Sequence, residues 1–294
     1  MKFLTVYKSI WQNRKEMKWG AVFLAPGLTG VMVFYCIPFL DVIKRSFCQV
    51  LSEQFVGFHN YQLVIANQAF LLAVKNTLRF TAVCLPLLLG ISLYLAYGLS
   101  FQKYRNNLKS IYLIPMALPI AAVVVIWKLL FCRQGLLNAL LHTLGLDSID
   151  FLGSNVSFWV LVVTYLWKNL GYTVVLWLAG IMGISEEIIE AAKVDGAGER
   201  TCFVKIVLPN LKGVLYTITI LSLINSFKVF REAYLVAGPY PNENMYLLQH
   251  LFNNWFTNLE MDKLAAGAVM VAAVLVLLIL LLQFLWDRKD NLKE

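Results

Sequence analysis

Charge is what this sequence has least of: Asp, Glu, Lys and Arg make up 14% of its 294 residues, against about 25% in an ordinary soluble domain. Apolar residues take 60%, where roughly 45–50% is usual. A soluble globular domain is excluded, and most of the chain is built for lipid. The five cysteines, Cys36, Cys48, Cys84, Cys132 and Cys202, are odd in number, widely spaced and mostly inside or beside apolar stretches. That pattern gives neither a disulfide framework nor a zinc site. No Gly-x-x-x-x-Gly-Lys-Ser/Thr loop is present to cradle ATP phosphates. His59, His142 and His250 fall in separate segments, with no His-Glu-x-x-His pattern and no convergent acid to orient them. The chain therefore reads as binding no metal or cofactor of its own and as carrying no catalytic constellation. Low-complexity tracts are missing, and so is an evident internal repeat.

What is present is a series of long uncharged runs. A helix needs about 20 apolar residues to cross the hydrocarbon core. Runs at 19–40, 80–102, 110–127 and 264–286 meet or approach that length. Between Asp150 and Glu186 the only charge is Lys168, and one further span is expected near 159–182. A sixth, 213–236, carries Lys228, Arg231 and Glu232 in its second half; it is kept because six spans put both charged ends on one side. The first run follows Arg14, Lys15 and Lys18, exceeds the roughly 7 to 15 apolar residues of a signal-peptide core, and lacks a small-x-small cleavage pattern. It reads as a retained span. The expected fold is all-α and polytopic: a tail over 1–18, a membrane domain over 19–286 and a tail over 287–294.

Orientation follows from where Lys and Arg collect. The tail before Trp19, the loops 103–109 and 183–212 and the end after Trp286 hold five, three, four and three; the alternate segments 41–79, 128–158 and 237–263 hold four, two and one. Both termini and the 183–212 loop are thus expected in the cytoplasm of a multi-pass cell-membrane protein. The net charge of +8 reflects this topology, and no nucleic-acid partner is expected. Leu136 to Leu146 is apolar but too short to span, and is expected at the interface.

The 183–212 loop is the most informative segment. Ser185 is placed as an N-cap, Glu186 and Glu187 sit in a first turn where the helix dipole favours negative charge, and Ile184 and Ile189 are spaced as a staple across the cap. Gly196 supplies a residue that ends a helix with positive φ. A second helix is expected from about Glu199 to Val207, with Phe203, Ile206 and Val207 on one face, until Pro209 interrupts it. Two short helices joined by a glycine bend form an object that docks into a groove on a partner.

Glu190-Ala191-Ala192, Asp195-Gly196-Ala197, Phe203, Ile206, Leu208 and Pro209 together resemble the EAA motif of permease subunits in binding-protein-dependent ABC importers. Gly213 stands where that family often has a second proline. The resemblance extends through Ala25-Pro26, Tyr35, Pro38, Ser46-Phe47, Val56-Gly57-Phe58-His59-Asn60-Tyr61 and Asn76-Thr77-Leu78 to Ser226-Phe227-Lys228-Val229-Phe230 and Gly267-Ala268. These look like the sugar permeases of the maltose and glycerol-phosphate type. The threonine-and-glycine-rich turn usual after their fifth helix is replaced by Val236 to Pro241. The resemblance implies a second permease, a pair of cytoplasmic ATPase subunits that use ATP, an external solute-binding protein and a sugar or oligosaccharide substrate. It assigns Glu190, Ala191, Ala192, Asp195, Gly196, Ala197, Phe203, Leu208 and Pro209 to ATPase coupling.

Charges inside the membrane are the other signal. An unpaired Lys168 near the middle of a span costs at least about 2.5–3.5 kcal/mol, so it must face protein or water. Either Lys168, Asn169 and Lys228 belong to the substrate pathway, donating to sugar hydroxyls, or Lys168 sits in an internal ion pair. Arg231 and Glu232 read as a structural charge cluster. Trp167, Tyr172, Trp177, Phe227 and Phe230 could stack on sugar rings, although aromatics in membrane helices more often pack or mark the interface. The rival to an ATP-driven importer is an ion-coupled secondary carrier, which calls for a carboxylate at mid-membrane. None is read at the centre of any span.

Overall fold

A computed structural model of the chain describes residues 20, 22–49, 52–100 and 105–290. The expected tail 1–18 and the final residues 291–294 lie outside the described residues. Among the described residues the fold is helical, with no strand beyond a single bridge between Cys48 and Phe55. The described residues contain six candidate membrane spans: Val22–Ser46, Gln68–Ser100, Ile120–Thr143, Ser157–Met182, Lys212–Ala237 and Met261–Phe284. The chain forms two compact units, one of the described residues up to Ala66 with Leu259–Val274, the other of Asn67–Asn258 with Leu275 onward.

In the first unit, helix α1 (Val22–Ser46) widens into a π-helical turn at Met32–Cys36, just before Pro38. Proline has no N–H and its ring crowds the carbonyl four residues back; a wider turn relieves both. The helix runs past the uncharged stretch ending at Leu40, because Arg45 pairs with Asp41 one turn earlier at 2.6 Å. Helix α2 (His59–Ala66) is tied back to the end of α1 by the buried Asn60 amide, which donates to the carbonyls of Ser46 (3.1 Å) and Cys48 (3.0 Å).

The second unit is built on α3 (Gln68–Ser100) and α7 (Ser157–Met182), with α4 (Arg105–Ala117), α5 (Ile120–Phe131) and α6 (Leu136–Thr143) between them in sequence. The span expected at 80–102 starts twelve residues earlier, at Gln68. Charge does not stop this helix, because the Arg79 guanidinium lies over the Phe158 ring, 4.1 Å from its centroid. The span expected at 110–127 is not one helix. It breaks at Leu118-Pro119, where Pro119 has extended geometry (φ −61°, ψ 144°). The residue before a proline is pushed out of the α region, and counting uncharged residues overlooks this. The candidate span here is Ile120–Thr143, covering α5 and α6.

Beyond α7 come the short helix α8 (Glu186–Val194) and α9, which runs from Glu199–Cys202 through a π turn at Phe203–Val207 to Leu208–Asn210. Pro209 therefore does not end the helix as expected. The widened turn accommodates it, as at Pro38, and the bend falls at Leu211 (φ −83°, ψ 3°). Helix α10 (Lys212–Ser226) passes through a 3-10 turn at Phe227–Val229 into α11 (Phe230–Ala237); α12 (Leu248–Thr257) and α13 (Met261–Asp290) complete the chain. The end expected as a tail is helical as far as Asp290.

Two apolar clusters hold α7 in place. Near its start Phe158, Leu161 and Tyr165 pack on Phe80, Cys84 and Leu88 of α3 and on Val229 and Ala233. Near its end Val174, Trp177, Leu178 and Ile181 pack on Ala96 and Leu99 of α3 and on Val207, Leu211 and Ile218. Gly171 lets α4 approach: a Cβ there would lie 1.7 Å from the Tyr112 carbonyl oxygen. Small residues at such crossings permit the dispersion contacts that hold membrane helices together, since lipid supplies no hydrophobic drive between them.

Candidate functional site

A cavity of about 170 Å³ opens between α7, α10 and α11 and is lined by Thr164, Lys168, Asn169, Asn225, Lys228 and Glu232, among others. Lys168 is the twelfth of the 26 residues of α7, close to the middle of that candidate span. Its ammonium pairs with the Glu232 carboxylate across the cavity wall; Glu232 is 3% exposed and Lys168 23%. The contact gives Lys168 an ion-pair partner, which Glu232 supplies from the outer part of the candidate span Lys212–Ala237, five residues before its end. It corrects the expected pairing, because Glu232 is held by a lysine 64 positions earlier and Arg231 points to an exposed face.

Met116 and Val229 also line the cavity, and its remaining polar groups are anchored. The Asn169 amide donates to the Tyr165 carbonyl at 2.9 Å, and Thr164 Oγ1 donates to Val160 at 2.7 Å. The Tyr165 hydroxyl donates to the Ser222 carbonyl at 2.8 Å, tying α7 to α10. Lys228, in the 3-10 turn, donates to Asn225 Oδ1 at 2.9 Å and is exposed. All three residues expected in a pathway, Lys168, Asn169 and Lys228, thus line one cavity. Glu232, Asn225 and Thr164 join them, and sequence reasoning missed these three. The signal available for Glu232 was the one acid in the expected span 213–236, whose other charges are Lys228 and Arg231, since a charge in a membrane demands a partner. Of the five aromatics considered, none lines this cavity: Trp167 lies edge-on to Trp127, and the buried Trp177 donates from Nε1 to Ser92 Oγ at 3.0 Å.

The second arrangement is the connector between α7 and α10. Ser185 occupies the N-cap of α8, but its hydroxyl makes no capping bond there. At the other end Gly196 has φ +84°. Its N–H donates to Lys193 and the Ala197 N–H to Ala192, at 3.0 and 2.9 Å. This is a Schellman closure, which requires a residue able to adopt the left-handed region. It accounts for the Ala192, Gly196 and Ala197 positions as a single backbone device. Cys202 is buried and its thiol faces the Ala197 carbonyl. Phe203 is half-buried, its ring 4.5 Å from that of Tyr97. With Ile206 half-buried and Val207 buried, α9 is seated on the cluster that joins α3 and α7. Glu190, Ala191, Asp195, Leu208 and Pro209 are exposed, as are Ile188 at 50% and Val194 at 87%. The connector thus has one face fixed to the membrane helices and another left free, with apolar and acidic groups side by side.

Among the described residues no cluster of His, Cys, Asp or Glu could hold a metal ion. The two arrangements are thus a cavity between helices, lined in part by charged and amide groups, and a connector seated on the helix cluster. Comparison with known proteins makes the class definite. The chain belongs to the family of binding-protein-dependent transport system inner membrane components, which its residues 87–289 match. It is 31% identical to the trehalose/maltose transport system permease protein MalF of Thermococcus litoralis, over 90% of this chain and 91% of that one. It is 30% identical to the arabinooligosaccharides transport system permease protein AraP of Bacillus subtilis, over 87% and 84%. A crystal structure of a bacterial ABC transporter involved in the import of the acidic polysaccharide alginate holds a chain of the same fold, with a TM-score of 0.84, 22% identity and 95% and 98% coverage. The chain is therefore a multi-pass membrane permease. A family of transport permeases gives no support to an ion-coupled carrier.

Proposed function

We propose that the chain is one of two permease subunits of an ATP-driven importer for a sugar or oligosaccharide. The observation that carries the reading is the cavity at Lys168, where fixed donors and acceptors alternate. A sugar hydroxyl both donates and accepts, so it can accept from Lys168, Asn169 or Lys228 while donating to Glu232 or the Asn225 carbonyl. The relatives transport trehalose and maltose or arabinooligosaccharides, which supports a carbohydrate substrate. A related solved importer was captured with a periplasmic protein bound to an alginate pentasaccharide, which supports an external binding protein as the donor.

In this reading both termini and the connector face the cytoplasm. A cytoplasmic ATPase grips the free face of the connector, with Glu190 set against a basic group and Ile188 and Val194 in an apolar groove. ATP binding closes the ATPase pair and moves α8 and α9. Because Phe203, Val207 and Leu211 are packed on α3 and α7, the displacement passes to the helices that wall the cavity and alternates its access. The chain itself supplies no ATP site.

The test uses Gly196→Val and Glu190→Lys. Nothing lies within 4 Å of a Cβ at Gly196, so the first carbon of a valine side chain meets no neighbour, and the positive φ costs roughly 1–2 kcal/mol. Glu190→Lys sets like charges together at the groove. Both variants are expected to insert normally, to lose the ATPase on co-purification, and to lose ATP-dependent sugar uptake in vesicles whose ion gradients have been collapsed. Normal association and uptake in both variants would refute the coupling role.

A further inference from the structure

Helix α6 is used by neither the cavity nor the connector, yet it is built with care. The buried Asn138 side chain, 3% exposed, staples it: the amide donates to the carbonyls of Arg133 (3.1 Å) and Ile149 (2.9 Å), and its oxygen accepts from the Ile149 N–H (2.8 Å). Leu137 packs on the cluster of Val123, Trp127, Phe131 and Val160. A Schellman closure at Gly145 (φ +73°) ends the helix, with the Leu146 N–H donating to Leu141 and that of Gly145 to His142. The face opposite Asn138 is nonetheless apolar and bare. Leu136, Leu140 and Leu144, spaced one turn apart, are 64%, 57% and 66% exposed. A fixed helix that presents a leucine row outward is placed to bury it against something, at about 1.5–3 kcal/mol for each leucine fully covered.

Three observations identify the covering. The helix before it in sequence, α5, also has bare apolar residues, Val125 and Leu129, each 58% exposed. No charged residue lies between Arg133 and Asp147, and the nearest acid beyond, Asp150, is bridged to Arg133 at 2.9 Å on an exposed edge. Exposed aromatics mark the same end of the bundle: Trp159 in the first turn of α7, 52% exposed, and Tyr240, 69% exposed, whose segment is fixed there by the bond from Asn242 to the Gly153 carbonyl. Trp and Tyr collect at the depth of the headgroups. A protein-facing patch would be enriched in aromatics and arginine instead of a bare leucine row. We propose that α6 is an interfacial anchor whose Leu136-Leu140-Leu144 face lies in the acyl-chain boundary of the leaflet opposite the connector. It fixes in the membrane plane the end of α5 at Phe131, the end away from the break at Pro119.

The test labels the unmodified chain within its assembled transporter in lipid nanodiscs. One sample carries a phosphatidylcholine with a diazirine on its acyl chain, a second receives a water-soluble carbene precursor, and adducts are mapped by mass spectrometry. Lipid adducts on Leu136, Leu140 and Leu144, as on Val125 and Leu129, with the soluble reagent confined to Arg133, Asp147 and Asp150, are expected. Soluble-reagent adducts on the three leucines would show a face in water. Protection from both reagents would show a face covered by protein. Either outcome overturns the proposal.

Discussion

Removing one member of the Lys168–Glu232 pair leaves the other charge buried without a partner, which costs about 3–5 kcal/mol, whereas replacing both by apolar groups of similar volume is often neutral. Lys168→Met alone is therefore expected to lower the unfolding midpoint and the yield of inserted protein, and Lys168→Met with Glu232→Leu to restore both. Sugar uptake should stay low in the double variant, because its donor and acceptor are gone. Recovery of uptake together with stability would mean that the pair only packs. A second residue sets a pH dependence. His250 is fully buried; its Nδ1 accepts from the Leu247 N–H at 3.2 Å, its Nε2 has no partner, and Phe230 and Tyr246 flank the ring. Burial lowers the imidazole from 6.5 to about 4. The unfolded chain then binds a proton that the native one refuses between these values. Stability is full above about 6.5, falls as pH drops towards 4, and loses nothing more from this group below that, a total of about 3 kcal/mol. Thermal unfolding of His250→Gln, which keeps an acceptor for the Leu247 N–H, should show a shallower loss than the parent chain over that window.

Between elements, the crossing of α4 and α7 depends on Gly171. A methyl at this position would meet the Tyr112 backbone oxygen, and backbone within a helix cannot step aside as a flexible side chain can. Gly171→Ala is expected to destabilise by about 1–3 kcal/mol or more, as overpacking does, read as a lower midpoint in detergent unfolding. Gly213→Ala, where nothing lies within 4 Å, should be neutral or slightly stabilising, since alanine orders a helix at less entropic cost. The two π turns belong at this scale as well. At Met32–Cys36 and Phe203–Val207 the wide turn ends two residues before a proline, so the same local conflict has the same local solution in two helices.

For the whole molecule, the bias of Lys and Arg predicts sidedness, and the structure supplies exposed reporters on either side of α7. Val194→Cys, on the connector, should resist an impermeant thiol reagent in intact cells. Asp147→Cys, placed in a Cys132→Ser background because Cys132 is exposed, should react. Labelling at Val194 from outside would invert the proposed topology. The candidate span Val22–Ser46 has no buried residue in its most apolar window and Met261–Phe284 only 17%.

Composition alone determined the solvent. Six runs too apolar for water and long enough for lipid fix the class and most of the helices, since no unpaired backbone group survives in hydrocarbon. The bend at Gly196 was equally legible, because a Schellman closure needs positive φ and glycine supplies it locally. Pro119 could have been read from its own residue and was missed by counting charge alone. Other features were decided only by the tertiary structure. Glu232 meets Lys168 across 64 residues, Asn76 caps the Tyr246 carbonyl across 170 at 3.0 Å, and Asn138 turns a short apolar stretch into a rigid, outward-facing anchor. In each case a polar group buried in or beside the membrane must find a partner. The sequence states that demand, and only the packing of the helices says which group meets it.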